Sequence, residues 1–459
     1  MPASDKHPDY RMNADLWAVV RDTVYGAPAI EKGGTNYLPM PNASDQSNEN
    51  IIRYRQYLKR ANFVSFTGST LEGLLGMVFR KDAEVELQQS IEYLIENATG
   101  SGLTLEQLIK SALSHTLQCG RFGLLVDYPQ AGDNLTRADV DALRLRANIL
   151  PYKAERVINW ATKTVGGLTM LSMVTLIEMH NIYSDDGFTC EEKEYKRVLR
   201  LEESYYQELY DDEDKLIDVI EPRKADGSLW REIPFVFVGS TNNDSMPDKS
   251  PLLDIAMVNI AHYVNSADFE ESSHTVGQPT PVFAGLNQSW IDTVLKSGVL
   301  LGSRQGVLLP EGANASLLQA APNSMPERGM EMKEQQMVKL GAKIISDGAG
   351  NETAEAARIR YAGQNSKLAT VVGNLESAMV QCFDWCMAFM GGDGDNYYEL
   401  NHEYYDKSID PQRIIAEIQL MDRGVTAMTD LRSSMREHGI IDSDRTDEDI
   451  DNEAEIVEI

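Results

Sequence analysis

No proline or glycine interrupts the chain between Pro251 and Gly277. About 25 helical residues at 1.5 Å each span roughly 37 Å. Pro251 suits the first helical turn, behind Ser250 as N-cap. The stretch changes character halfway. "PLLDIAMVNI" is nearly all apolar, whereas "AHYVNSADFEESSH" turns polar and acidic through Asp268, Glu270 and Glu271. Glycine and proline then crowd residues 277–326, where short strands alternate with one short helix. A second helix restarts at Pro326 as "PERGMEMKEQQMVKLGAKII", with Met330, Met337, Leu340 and Ile344 on one face. Two helices that bracket a small lobe make a hairpin, so the lobe is expected to project from a body.

That body is expected to be α+β. "NADLWAVVRDTVYG" reads as a short amphipathic helix, followed by an extended arm ending "TNYLPMPNASDQ". Residues 48–81 show helical spacing with a break at Gly68, where Ser69 or Thr70 would cap a second helix. "VELQQSIEYLIENA" and "TLEQLIKSALSHTLQC" read as two more helices. In "GRFGLLVDYP" Gly120 ends a helix and a buried strand runs to Pro129. Residues 150–239 are rich in β-branched and aromatic residues between turn signals, the pattern of an antiparallel sheet.

After the glycine-bearing "SDGAGN", a very long helix is expected from Thr353 to about Met390. Leu368, Val372, Leu375, Met379, Cys382, Cys386 and Phe389 recur at alternating steps of four and three, a buried seam. "GGDGD" ends it. A last strand, "NYYELNHEYY", precedes two short helices (about 411–422 and 427–438) and a tail with nine acidic residues from Asp442 onward.

Composition excludes several function classes. The 459 residues carry 71 acidic against 42 basic side chains, net −29. A protein that grips DNA by neutralising phosphates is expected to have the opposite sign. Four cysteines in this length make no disulfide framework. The first residues lack the basic and apolar regions of a signal peptide. The longest apolar runs fall short of the roughly 18 residues a membrane span needs. A soluble, cytoplasmically made protein is expected, with no membrane partner.

Chemistry-bearing motifs are sparse. There is no G-x-x-x-x-G-K-[ST] and no G-x-G-x-x-G at a strand-to-helix junction, so no familiar phosphate cradle exists. Only seven histidines are present, none at ligand spacing. Cys382 and Cys386 sit four apart on the apolar seam, where buried core is the reading over half a zinc site. "GGDGDN" begins like a calcium loop but lacks its later carboxylates, so a turn is expected. Asp268, Glu270 and Glu271 suit a solvated helix face better than a hydrolytic pair. No enzyme, metal or cofactor is expected.

Several segments nonetheless carry a resemblance: "LEGLLGMVFRK", "GRFGLLVDYP", "PYKAERVINW", "EIPFVFVGSTNND", "PLLDIAMVNIAHYVNSADFEESSH", "LGSRQGVLLPEGA" and "NETAEAARIRYAGQNSKL". Together with the order of parts, they resemble one branch of the bacteriophage portal proteins, the ring at the capsid vertex. That branch was long catalogued as phage protein of unknown function. None of the segments is a catalytic signature, so their weight lies in number and order.

The resemblance implies a portal-like subunit with an α/β wing, a two-helix stem, a small α/β clip, one very long wing helix and a helical crown. The implied parts are an N-terminal arm (1–45), the wing (46–250), stem helix 1 (251–276), the clip (277–325), stem helix 2 (326–340), a tunnel loop (341–352), the long wing helix (353–391) and the acidic crown (392–459). It implies a homo-oligomeric ring, typically of twelve subunits, in the virion and assembled in the host cytoplasm. Double-stranded DNA would pass through without specific binding. The terminase large subunit and then a head–tail adaptor would dock at the clip, and major capsid and scaffolding proteins would surround the ring.

On that frame Asp268, Glu270, Glu271, Lys339, Lys343, Asp347, Asn351 and Glu352 would line the DNA channel. Trp290, Leu300, Leu301 and Arg304 would form the clip docking surface, with Trp290 equally readable as the clip's own core. Ile344 and Ile345 are open between tunnel loop and core. Twelve −29 chains carry roughly −350, an acidic wall that repels phosphate. The seam and the arm are expected to reach a neighbouring subunit. The alternatives are another head–tail connector or scaffold-type assembly protein, or a carboxylate-dependent hydrolase with paired carboxylates of split pKa.

Overall fold

A computed structural model describes residues 2–129, 143, 145–184, 186–277, 280–295, 309–318, 324–345, 366–402 and 404. In the C-terminal stretch it describes 418–421, 423, 425, 427–437, 441, 445–447 and 449–451. The fold is α+β, and the chain divides into two compact units, Met1–Leu400 and Asn401–Ile459.

The core of the first unit is built on one strand. β2 (Arg121–Asp127) is buried along nearly its whole length and lies between β3 (Asn148–Lys153) and β9 (Phe235–Gly239), antiparallel to both. Gly123 at its centre admits the Phe235 ring, which would lie 2.5 Å from an added Cβ. Helices α5 (Leu105–Cys119) and α8 (Lys367–Met390) pack on this sheet. Thr104 and Gln107 close a capping box at the start of α5, and Gly120 ends it in the left-handed conformation. A second sheet is an antiparallel meander of β4 (Val157–Val165), β5 (Leu168–Tyr183), β6 (Cys190–Leu201), β7 (Tyr205–Tyr210) and β8 (Leu216–Ile220). The strand-like character of 150–239 is thus realised as two sheets.

Every residue of the expected seam is buried in α8, from Leu368 to Phe389. Its partners are α5 and the β2–β9 sheet of the same subunit, so it is core and not a surface for a neighbour. Cys382 and Cys386 lie in that core, and burial pushes both thiols well up. The helix itself starts at Lys367. The Ser366 side chain accepts from Ala369 N–H with Ser366 in extended backbone, so the helix that ends at Met390 is capped there and does not continue back through Ser366. Residues 353–365 lie outside the described residues.

The first 45 residues also depart from the expectation of an arm. Helix α1 (Pro8–Tyr25) buries Trp17 and Val20, and α2 (Ala27–Gly33) buries Ile30. Leu38 and Tyr37 complete a cluster with Tyr54, Tyr57, Phe63 and Tyr263. Apolar side chains spaced through "TNYLPM" are therefore packing residues of the body.

Two local readings are corrected. Residues 85–98 are not a helix but β1 (Glu84–Glu86) followed by a 3₁₀ turn, Glu92–Leu94. β1 pairs with β12 (Tyr397–Glu399), Val85 opposite Tyr398, and Gln88 N–H donates to Asn396 Oδ1 at 3.2 Å. That distant pairing overrides local helical propensity. The break expected at Gly68 falls earlier: α3 (Asn48–Arg60) ends before Ala61, and α4 (Phe66–Val78) contains Gly68. Gly68 serves close packing, since a Cβ there would lie 2.9 Å from the Val24 carbonyl oxygen.

In the second unit, Arg432 and Arg436 of α9 (Met428–Glu437) pair with Asp451 and Asp447. Part of the acidic tail is thereby held to a helix.

Candidate functional site

The bracketing helices of the sequence are present. α6 spans Leu253–Val276 and α7 spans Met325–Ile345. They pack on each other in opposite directions: His262 Nε2 lies 3.3 Å from Glu334 Oε1, and Asn265, further along α6, meets Gly329, nearer the start of α7. Gly329 lets the two helices approach closely, since an added Cβ would lie 2.3 Å from Asn265 Nδ2 and push that side chain aside. Ser250 receives the Leu252 N–H and donates to the Leu117 carbonyl, anchoring the start of α6 on α5.

Between the two helices lies the lobe. β10 (Thr280–Ala284) and β11 (Asn314–Leu318) pair antiparallel, and a helical turn spans 288–295. Trp290 is buried beside Phe283, ring centroids 6.0 Å apart. Of the two readings of Trp290, the lobe core is the one its burial matches. The most exposed large apolar side chains among the lobe's described residues are Leu317 and Leu318, 62% and 69% exposed. Leu300, Leu301 and Arg304 lie outside the described residues.

α6 is tied to the body by buried polar groups that sequence reasoning missed. Fully buried Asn259 accepts from the Thr67 N–H and hydroxyl, both at 3.1 Å, and donates to the Val64 carbonyl at 2.9 Å. Seven residues on, Ser266 accepts from Asn62 N–H and donates to Asn62 and Tyr263 carbonyls. The irregular backbone between α3 and α4 thus finds its hydrogen bonds on α6. A signal was present: Asn259, His262 and Ser266 recur at steps of three and four, one stripe of the helix.

The acidic half of α6 is likewise engaged. The Tyr57 hydroxyl donates to Asp268 at 2.6 Å, and burial together with that carboxylate pushes the phenol well up. Glu271 pairs with Arg60 and lies 3.9 Å from Arg53. Both carboxylates thus make contacts to α3 of their own subunit, Asp268 while exposed to solvent and Glu271 half-buried. Glu270 is half-buried. Lys339 and Lys343 are exposed on α7. This helix continues to Ile345, so Gly341–Ile345 are helical and not loop, and Ile344 is buried core. Asp347, Asn351 and Glu352 lie outside the described residues.

Replacing Glu271 by lysine is expected to cost about 1–3 kcal/mol, the range of a charged hydrogen bond lost. It would also set three cations together, so the loss should shrink as salt rises. Urea denaturation at two ionic strengths checks this.

Two other polar clusters stand out. Arg121 is buried between Trp160 and Phe237, its guanidinium carbon 3.9 and 3.7 Å from their ring centroids. One N–H reaches the Ser245 carbonyl at 3.0 Å, and burial pulls its pKa down to about 9. The signal was a lone charge within an apolar strand. Between the sheets, Arg197 binds Glu178, Asp127 and Gln207, and Tyr152 donates to Glu178. Burial alone would raise the Glu178 carboxyl, yet Arg197 and Tyr152 hold it below the usual range. Glu178 accepts from Tyr152 and twice from Arg197, so the cluster joins β3, β5 and β6 across the two sheets. Among the described residues no group of His, Cys, Asp or Glu is arranged to hold a metal, and no helix is long and apolar enough to cross a membrane.

A family model described as a domain of unknown function (DUF4055) matches residues 251–390, from the start of α6 to the end of α8. No curated protein matches the chain. Among solved structures, a chain from the virion of a native gene transfer agent particle aligns with a TM-score of 0.43 at 12% identity, covering 89% of this chain and 98% of that one. A chain from the neck of the empty particle, computed with C6 symmetry, aligns with TM-score 0.43 and 12% identity over 79% of this chain and 86% of its own. A chain from the native neck with C12 symmetry gives 0.43 and 12% over 81% and 89%.

Proposed function

We propose that this chain is a phage portal subunit. In this reading a ring of copies, twelve in the type case, sits at the capsid vertex of a virion. Double-stranded DNA enters and leaves through it. The observation that carries the reading is the antiparallel α6–α7 pair bracketing a small two-stranded lobe, with the buried α8 following it in sequence. This is the order of stem, clip and wing helix that the sequence resemblance implies. The net charge of −29 supports a conduit that does not retain phosphate.

The reading makes the protein a structural component and not an enzyme. ATP hydrolysis belongs to a separate motor, because the chain has no phosphate cradle. With Glu271 half-buried against α3, the residues offered to DNA are the exposed Asp268 of α6, Lys339 and Lys343, and the outward carboxylates Glu327 and Glu331 of α7. Docking of the terminase large subunit and then the head–tail adaptor falls to Leu317 and Leu318 in place of Trp290. Major capsid and scaffolding proteins surround the ring.

Leu317→Asp/Leu318→Asp tests the docking surface. Losing an apolar anchor at the centre of an interface costs about 2 kcal/mol or more, some 30-fold in affinity. The cognate terminase large subunit should bind the variant at least that much more weakly, with assembly of the chain unchanged. Binding at wild-type strength would remove the lobe as the docking site.

A further inference from the structure

The exposed face of α3 carries Ile52, Arg55, Gln56 and Lys59, at steps of three, one and three. Its opposite face buries Asn50, Tyr54 and Tyr57. Beside the exposed face runs a groove of about 650 Å³ whose far wall is Pro28, Glu31 and Lys32 of α2. Arg55 and Lys59 are like charges at i, i+4, a mildly unfavourable pair on an isolated helix. Lys32, Arg55 and Lys59 are all exposed, and none has an ion-pair partner among the described residues. On a chain with 29 surplus negative charges, three cations are kept together over an apolar floor of Pro28, Ile52 and Leu58. DNA would use the cations but not the floor. The groove suits an acidic segment with apolar flanks.

The same chain carries such a segment. The turn between β7 and β8 reads Asp211, Asp212, Glu213, Asp214. Asp211 folds it by accepting from the Glu213 and Lys215 N–H groups, and Asp214 turns inward to Lys196 and Ser4. Asp212 and Glu213 stay exposed, Asp212 with Lys193 of the same sheet 3.3 Å away. β8 follows at the free edge of the five-stranded sheet, with Leu216, Ile217 and Val219 exposed at 46%, 52% and 53%. Soluble proteins seldom leave an edge strand with apolar residues exposed on both faces uncovered. Neither α2 nor α3 packs on β7 or β8 within one subunit.

We propose that the β7–β8 hairpin of one copy docks in the α2–α3 groove of the next, setting Asp212 and Glu213 against Lys32, Arg55 and Lys59 and covering the edge strand. Two different surfaces meeting head to tail is the arrangement that closes a ring. The inference rests on the ring reading above. It replaces the seam, buried within the subunit, and the arm, whose Trp17, Ile30 and Leu38 pack into the body of the same subunit, as the source of the contact.

The test is mass photometry of the full chain at low salt, beside Lys32→Glu/Arg55→Glu/Lys59→Glu and the same triple variant carrying Asp212→Lys/Glu213→Lys. The wild type should assemble. The triple variant should need at least tenfold more protein to do so, with an unchanged circular dichroism spectrum, and the charge swap should restore assembly. In a Cys190→Ser background, Gln56→Cys with Glu213→Cys should form disulfide-linked multimers, which holds even if the charge variants fold poorly. A triple variant that assembles like wild type, with no cross-linking, overturns the contact while leaving the ring intact. If instead the wild type assembles regardless but retains DNA that the triple variant releases, the groove is a nucleic-acid surface and the proposal fails. A monomeric wild type sinks the ring reading and this contact with it.

Discussion

Asn259→Ala is expected to lower unfolding stability by about 2–4 kcal/mol. Asn259 is fully buried and makes three hydrogen bonds, to the Thr67 N–H, the Thr67 hydroxyl and the Val64 carbonyl. Thr67 is also fully buried, so its orphaned N–H has no water to turn to. The desolvation penalty of that group then adds to the lost bonds. Asn259→Asp should not rescue, because it keeps the acceptor, removes the donor to Val64 and buries a charge. Urea denaturation reads the effect as a lower midpoint at constant slope. A change below about 0.5 kcal/mol, the size of an ordinary surface substitution, would mean that α6 is not what holds the α3–α4 linker.

Gly120→Ala should cost more than about 3 kcal/mol. A left-handed backbone penalises any L side chain by about 1–2 kcal/mol, and Gly120 has φ +70°. A Cβ would also lie 2.3 Å from the Asp248 carbonyl oxygen and 2.9 Å from the Asp248 and Lys249 carbonyl carbons. Those are backbone atoms, which cannot rotate away. The damage reaches the paired helices, because the Gly120 carbonyl accepts from Ser240 and the displaced segment leads into Ser250 and α6. Gly76→Ala is the control. Gly76 lies inside α4 with nothing within 4 Å of an added Cβ, so it should stabilise by about 0.5–1 kcal/mol. Thermal melts of the two variants should therefore move in opposite directions.

What the sequence made legible was local. Gly120 as a helix end, the uninterrupted helix after Pro251, the buried strand "FGLLV" and the one-sided seam of α8 each follow from signals within a few residues. What it hid depends on partners far along the chain. The α3–α4 break is set by Asn259 and Ser266, some two hundred residues away, and not by Gly68. Residues 85–98 lose their helix to β12. The periodicity of Leu368 to Phe389 shows that one face is buried, but not against what, so a surface read as intersubunit proved to be core. Charges on α6 were visible, whereas Tyr57, Arg53 and Arg60 as their partners were not, since α3 is brought to them only by the fold. Trp290 looked like an anchor because a tryptophan in a small lobe serves core and interface equally well. The exposed Leu317 and Leu318 were indistinguishable in sequence from ordinary strand residues.

Electron microscopy of the purified full-length chain at micromolar concentration tests the portal reading most directly. The account predicts closed rings with a central hole wide enough for duplex DNA, and class averages with a single rotational symmetry near twelvefold. Small globular particles of one subunit, with no ring at any concentration or salt tried, would contradict it.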